Sequence, residues 1–192
     1  MDATNRLWVI GFLSMLPTLT MQAEALRFEA IPKGNEVTFS AVGTPGFLHI
    51  EGKGASVTGH IEMEGEKWTG KWVCDLNAFT TDIDTRDKHM KEKYLQVPQF
   101  PTSTLEITKL TYKEKSNGSK LPFEGNLQLH GVTAPVKGTV SITYVNSLYQ
   151  VEAEYSLTVD AFKIDIPSFA GITMAKDVTV HVKFMASSAP VH

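Results

Sequence analysis

Residues 85–102, TRDKHMKEKYLQVPQFPT, crowd together side chains that could act as acids, bases or a cation cluster. His89 between Asp87 and Glu92 suggests acid–base work, because an imidazole held by a carboxylate exchanges protons near neutral pH. Spacing argues against it. On a helix, Asp87 and His89 lie two apart and do not face each other, and Glu92 reaches His89 without any nucleophile at a definable distance. Metal chemistry fares no better. The histidines at 49, 60, 89, 130, 181 and 192 form neither an H-x-H nor an H-E-x-x-H pattern. Arg86, Lys88 and Lys91 could cradle a phosphate, and a solvated helix face would account for the same charges.

The elements that carry these residues can also be read. Asp84 and Thr85 are good N-caps, Asp87 sits near the positive end of a helix starting there, and RDKHMKEKYL contains neither proline nor glycine. A short helix over 85–95 is expected. Pro98 and Pro101 stop it, and an extended segment should press Val97 and Phe100 into apolar surroundings.

Beyond residue 26 the dominant signal has period two. Val136, Val140, Ile142 and Tyr144 alternate with polar residues, as do Val151, Ala153, Tyr155, Leu157 and Val159. Val178, Val180, Val182 and Phe184 do the same, with shorter runs around Ile61, Trp72 and Leu127. PKGNE (32–36), GTPG (43–46), EGE (64–66), KSNGSK (115–120) and VNSL (145–148) read as turns, with Asn117-Gly118 the clearest hairpin signal. An antiparallel meander with one apolar face must close over that face, as a barrel or a sandwich. Gly59, Gly70, Gly125 and Gly138, all on the inward phase, favour the barrel by permitting bends.

Composition sets limits. The 192 residues, 42% apolar and 20% charged, suit one globular domain, and a formal charge of −3 is wrong for a general nucleic-acid binder. Arg6 precedes an apolar run, LWVIGFLSMLPTLTM (7–21), that leads to Ala23-Glu24-Ala25, a small-x-small processing site. Residues 1–25 are therefore expected to be a signal peptide and 26–192 the exported domain, the alternative being an uncleaved anchor, which Pro17 disfavours. No later apolar run is long enough to span a bilayer. Cys74 is the only cysteine, so it can form no intrachain disulfide. Its apolar neighbours make it a buried small hydrophobe.

Three stretches carry a family resemblance. TRDKHMKEKYLQVPQFPTSTLEI (85–107) resembles the YceI-like signature of a charged helix followed by an aromatic-proline phrase. GNLQLHGVTAPVKGTVSI (125–142) resembles its G-x-L-x-(I/L)-x-G-V-T-x-P-V phrase, and LTVDAFKIDIPSFAGITMAKDVTVHVKFMA (157–186) its last two strands. Within those phrases His130 stands at an often basic position and Leu105 at a common Phe position. The resemblance implies an all-β, antiparallel, lipocalin-like barrel of about eight strands with one short helix. It also implies a bacterial periplasmic location (or secretion) and no known catalytic residues; no metal and no cofactor are expected. The implied ligand is a long-chain isoprenoid or fatty amphiphile held inside. Such a chain binds chiefly by area removed from water, so its site needs aliphatic and aromatic lining rather than fixed polar groups. The expected lining is Phe39, Ile61, Trp72, Leu76, Leu105, Ile107, Leu127, Leu129, Ile142, Tyr155, Leu157, Val180 and Val182. Barrels of this kind can also pair through an exposed face, giving a homodimer.

Two other readings compete. A stress-related structural or interaction protein would fill its bore with Trp68, Trp72 and Tyr155. An enzyme acting on a lipid head group would need a buried polar cluster. A continuous apolar cavity separates the carrier from the filled barrel.

Overall fold

Alternating apolar and polar side chains become antiparallel strands joined mostly to their sequence neighbours. The structure is a computed structural model and describes residues 26–44, 49–169 and 172–189. The expected signal peptide, 1–25, and part of the GTPG turn lie outside the described residues. The strands are β1 (Leu26–Thr44), β2 (His49–Ala55), β3 (Val57–Glu64), β4 (Lys67–Asp75) and β5 (Thr102–Thr111). They continue with β6 (Gly118–Leu129), β7 (Val132–Val145), β8 (Leu148–Thr158), the two-residue β9 (Ser168–Phe169) and β10 (Ile172–Ala189). Strands β1, β3 to β8 and β10 pair in sequence, and β10 returns to β1, closing an eight-stranded antiparallel barrel. β2 runs into β3 with only Ser56 between them and covers the other half of β1.

The sequence PKGNE turns out not to be a turn. It is a bulge inside β1: between Ile31 and Glu36 the strand advances five residues while its partner β10 advances two, from Met185 to Lys183. An odd excess flips the side-chain phase. Phe28 faces inward before the bulge, and Val37 and Ala41 face inward after it. The bulge would leave the β2–β3 junction without a ladder partner. Asn35 supplies one: its side-chain amide donates to the Val57 carbonyl (2.6 Å) and its Oδ1 accepts from the Val57 N–H (2.8 Å).

Two hairpins turn on left-handed residues, one where the sequence reading placed a turn and one, at residues 130–131, where it placed none. Asn146 (φ 51°) and Ser147 (φ 64°) make the β7–β8 turn, and His130 (φ 51°) with Gly131 (φ 73°) makes the β6–β7 turn. Positive φ at both central residues matches strand twist. Between β5 and β6 the left-handed residue is Lys115 (φ 56°), so Asn117-Gly118 is not the turn itself. Gly118 already belongs to β6, and Asn117 Oδ1 accepts from the Tyr144 N–H (3.0 Å). Of the inward glycines, Gly59 has φ 144°, and a Cβ there would run into the Lys71 carbonyl. At Gly138 the Phe123 ring occupies the side-chain position, 2.7 Å from where a Cβ would stand.

The connection from β4 to β5 holds the helix, α1 (Asp84–His89), which widens into a π-helical turn over Met90–Tyr94 closed by Leu95 N–H to Met90 O (2.8 Å). The expected caps are not used. Ile83 is the N-cap, with no side-chain cap bond, and Asp84 is the first helical residue. Asp87 reaches back instead, accepting from Thr80 Oγ1 (2.6 Å), the Thr81 N–H (2.7 Å) and Thr81 Oγ1. Arg86 grips the same threonine, donating from Nε to Thr81 Oγ1 (2.8 Å) and from Nη2 to the Thr81 carbonyl (2.6 Å). Thr81 is the one buried polar residue among those described, and its backbone and side chain are fully engaged.

Two predictions follow from these polar clamps. Asn35→Ala leaves the buried Val57 N–H and C=O unpaired and should lower unfolding stability by about 1–3 kcal/mol, read from urea midpoints at constant m-value. For Asp87, burial opposes ionisation, but hydrogen bonds from Thr80 and Thr81 prevail and hold its carboxyl below the usual range. Its contribution is therefore complete above about pH 4, the unfolded carboxylate value, and lost as pH falls through the lower folded value. Thermal midpoints of the native protein and Asp87→Asn should differ at pH 6 and converge toward pH 2. A gap that persists unchanged at the acid end contradicts this role.

Candidate functional site

The barrel's two ends differ in kind. At one end the connections are tight: residues 65–66, 112–117 and 146–147. Here Phe28, Trp68, Tyr112 and Tyr149 are buried and packed ring on ring. Phe28 stacks on Trp68 (centroids 4.8 Å apart) and meets Tyr149 edge-on (4.9 Å), while Trp68 meets Tyr112 edge-on (5.1 Å). Trp68 Nε1 donates to the Tyr112 carbonyl (2.9 Å), so the indole is buried without an orphan N–H. This cluster forms a floor. At the other end lie the long connections 76–101 and 159–167, and the ends of β1, β2 and β10.

Between floor and mouth runs a cavity of about 830 Å³. Its walls come from every strand of the barrel, and its volume falls in the upper part of the range of small-molecule sites. Polar groups are few. Cys74, Ser103, Tyr155 and Tyr149 lie along the wall or floor, and Thr81, Thr85, Arg86, His89, Lys93 and Ser168 sit at the mouth. Among the described residues no aspartate or glutamate lines it.

The ionisable wall groups are held in their neutral forms. Burial, with a smaller contribution from Asp75, pushes the Cys74 thiol up to about 12. Burial likewise raises Tyr155 and Tyr149. A thiol in this state is no nucleophile at neutral pH. Among the described residues no three or more His, Cys, Asp or Glu side chains are grouped to hold a metal.

The mouth is framed by ties between loops. Lys53 and Thr80 exchange backbone hydrogen bonds (2.9 and 2.8 Å), and Lys53 Nζ pairs with Asp82 (2.8 Å), fastening the 76–82 segment to β2. Phe79 meets Phe39 edge-on (5.2 Å). On the far side the segment after α1 presses Val97 and Phe100 inward as expected, but through a turn rather than an extended run: Gln96 is left-handed (φ 46°) and its carbonyl accepts from the Gln99 and Phe100 N–H groups (2.8 and 3.0 Å). Val97 is buried, and Phe100 packs against the His130 ring (4.8 Å) and over Gly131. His130 Nδ1 lies 3.1 Å from the Phe162 carbonyl, while its Nε2 is buried with no partner among the described residues.

Every side chain named from the sequence as lining stands on the cavity wall. Phe39, Ile61 and Trp72 come from β1, β3 and β4, and Leu76 from the short turn after β4. Leu105 and Ile107 come from β5, Leu127 and Leu129 from β6, and Ile142 from β7. Tyr155 and Leu157 come from β8, Val180 and Val182 from β10. The bore is not filled by aromatics: Trp68 is part of the floor, but Trp72 and Tyr155 line open space.

The sequence reading missed others. Val140, Ala153, Val178 and Phe184 share the inward phase and were detectable by that signal. The charged set at the mouth is Arg86, His89 and Lys93, not Arg86 with Lys88 and Lys91, neither of which lines the cavity. Positions 86, 89 and 93 are spaced i, i+3, i+7, one helical face, whereas 88 and 91 turn away.

Comparison with known proteins follows the same outline. A UPF0312 protein of Yersinia pestis (strain Pestoides F) is 42% identical over 65 residues, 33% of this chain and 32% of that protein. A UPF0312 protein of Pseudomonas aeruginosa (strain LESB58) is 39% identical over 67 residues, 34% and 33% of the two chains. The match thus spans about a third of the length of these curated relatives. Among solved structures, a polyisoprenoid binding domain from Saccharophagus degradans implicated in plant cell wall breakdown superposes with a TM-score of 0.63 at 12% identity. That superposition covers 85% of this chain and 99% of that one. Burkholderia cenocepacia BcnA gives 0.62 at 14% identity, over 78% and 95%. At such identities the likeness establishes the fold. The YceI-like domain pattern matches residues 28–186, nearly the whole barrel, and the chain belongs to the YceI-like family.

Proposed function

We propose that this protein binds a long-chain isoprenoid or similar amphiphilic lipid in the barrel and carries, stores or sequesters it without chemical conversion. The observation that carries this reading is the apolar cavity that runs from the helix-framed mouth to the aromatic floor. An extended hydrocarbon gains about 0.8 kcal/mol for each methylene taken out of water, so a long chain needs little else. The wall offers little else, and its thiol and phenols stay protonated at neutral pH. A structural neighbour described as a polyisoprenoid binding domain supports the choice of ligand class.

Export to the periplasm is part of the same proposal. The apolar run 7–21 followed by Ala23-Glu24-Ala25 supports it, and an exported carrier would face water on all sides of its barrel.

Two experiments test these statements. Native mass spectrometry of the protein purified from its own host should show a bound lipid. Ala153→Trp, which places an indole across the bore between Val140 and Val182, should abolish lipid uptake while the protein remains folded. Uptake of the same lipids by a folded Ala153→Trp variant would contradict binding in the cavity. For export, intact-mass analysis of osmotic-shock fluid should find the chain beginning at Leu26. Recovery of the full-length chain from the cytoplasm alone would refute it.

A further inference from the structure

The cavity is apolar along its length and carries charge only at its mouth, and that charge is all of one sign. Arg86, His89 and Lys93 line it from a single helical face, with Met90 and Tyr94 between and beside them, and among the described residues no acidic side chain lines it. Arg86 is half-buried and held in place through Thr81, which takes hydrogen bonds from Nε and Nη2. A guanidinium has five N–H donors, so most of its fork remains for another acceptor. His89 and Lys93 are exposed and, among the described residues, make no ion pair; the Lys93 ammonium rests 5.1 Å from the Tyr94 ring centre. Of the nearby carboxylates, Asp87 is engaged with Thr80 and Thr81 and Asp82 with Lys53, while Asp84 and Glu92 lie on the same helical segment but do not line the cavity.

We propose that the barrel's occupant carries an anionic head, a phosphate or carboxylate, seated against Arg86, His89 and Lys93 while its chain fills the cavity. This rests on the lipid-binding reading above. A planar fork and a nearby ammonium match the oxygen geometry of either group and form charge-assisted hydrogen bonds, which a hydroxyl or ketone head accepts far more weakly. Because the mouth is open to water, each contact is worth roughly a tenfold gain in affinity rather than the larger factors of a dry site. A free phosphate ion has the same chemistry but lacks the chain, so it should bind far more weakly.

The test compares ligands of identical chain and different head. Geranylgeranyl monophosphate, geranylgeraniol and inorganic phosphate are titrated into the mature protein, with the intrinsic fluorescence of Trp68 and Trp72 as the readout. The variants are His89→Gln/Lys93→Gln and, as a charge-matched comparison off the cavity, Lys88→Gln/Lys91→Gln. Arg86 is left alone because it anchors Thr81, and circular dichroism checks that each variant is folded. The native protein should prefer the phosphate over the alcohol by at least about tenfold at 0.15 M salt, the preference shrinking in 1 M salt. The ratio should fall by about tenfold in the 89/93 variant, toward what Arg86 alone sustains, and stay unchanged in the 88/91 variant. Equal affinity for both lipids in the native protein overturns the head-group assignment while leaving the lipid-binding reading intact. So does a preference that is undiminished in the 89/93 variant or falls equally in the 88/91 variant. Inorganic phosphate that displaces the lipid phosphate at similar concentration shows an anion site independent of the chain, which also overturns it. Failure of both lipids to bind removes the underlying reading and this proposal with it.

Discussion

The ladder between β1 and β10 runs from Arg27 opposite Ala189 to Thr44 opposite Thr173 and turns a meander into a tube. Closure removes the edges that an open sheet would expose, and it also commits each strand to one inward face for its whole length. β1 can meet that demand only because its bulge resets the phase between Phe28 and Val37. The bulge in turn requires a substitute for the missing ladder bonds, and Asn35 provides it by pairing with both backbone groups of Val57. Bulge, amide and closure are thus one arrangement, and the cavity exists because all three hold.

A second dependence links the helix to the mouth. α1 and the turn after it bury no residue completely, so packing alone does not hold them. Their position comes from a small polar cluster in which Asp87 and Arg86 close on Thr81 from both sides. The cluster fixes the helix's rotation, and that rotation decides which of its charges meet the cavity. The same carboxylate that looked like half of a catalytic pair with His89 therefore works as a positioning group for the backbone.

Much of this was legible in the chain. Period-two runs such as Val178 to Phe184 announce the strands and their inward residues directly, because a strand's geometry fixes which side chains share a face. The charged stretch after Asp84 announced a helix, and Pro98 and Pro101 its end. What escaped was tertiary in origin. PKGNE has turn chemistry, but whether such a segment reverses a chain or kinks a strand depends on the partner that β10 supplies. Asp84 and Thr85 are sound caps locally, and Asp87 displaces them only because Thr80, fastened to β2, holds its hydroxyl and the next residue within reach. Arg86, Lys88, His89, Lys91 and Lys93 look alike in sequence. Only the course of the 76–101 connection across the mouth separates the lining cations from the solvated ones.

The aromatic floor has one more consequence. A tube closed at one end by Phe28, Trp68 and Tyr149 admits a linear molecule from the mouth alone and stops its leading tip at a fixed depth. Such a barrel acts as a ruler. A chain that reaches the floor gains the full transfer energy of its buried length, whereas every carbon beyond that length stays outside and adds nothing. For an occupant of the proposed kind, reach would be set by the rings at the bottom and the head would meet only the rim, so its two ends would be read by separate parts of the sequence.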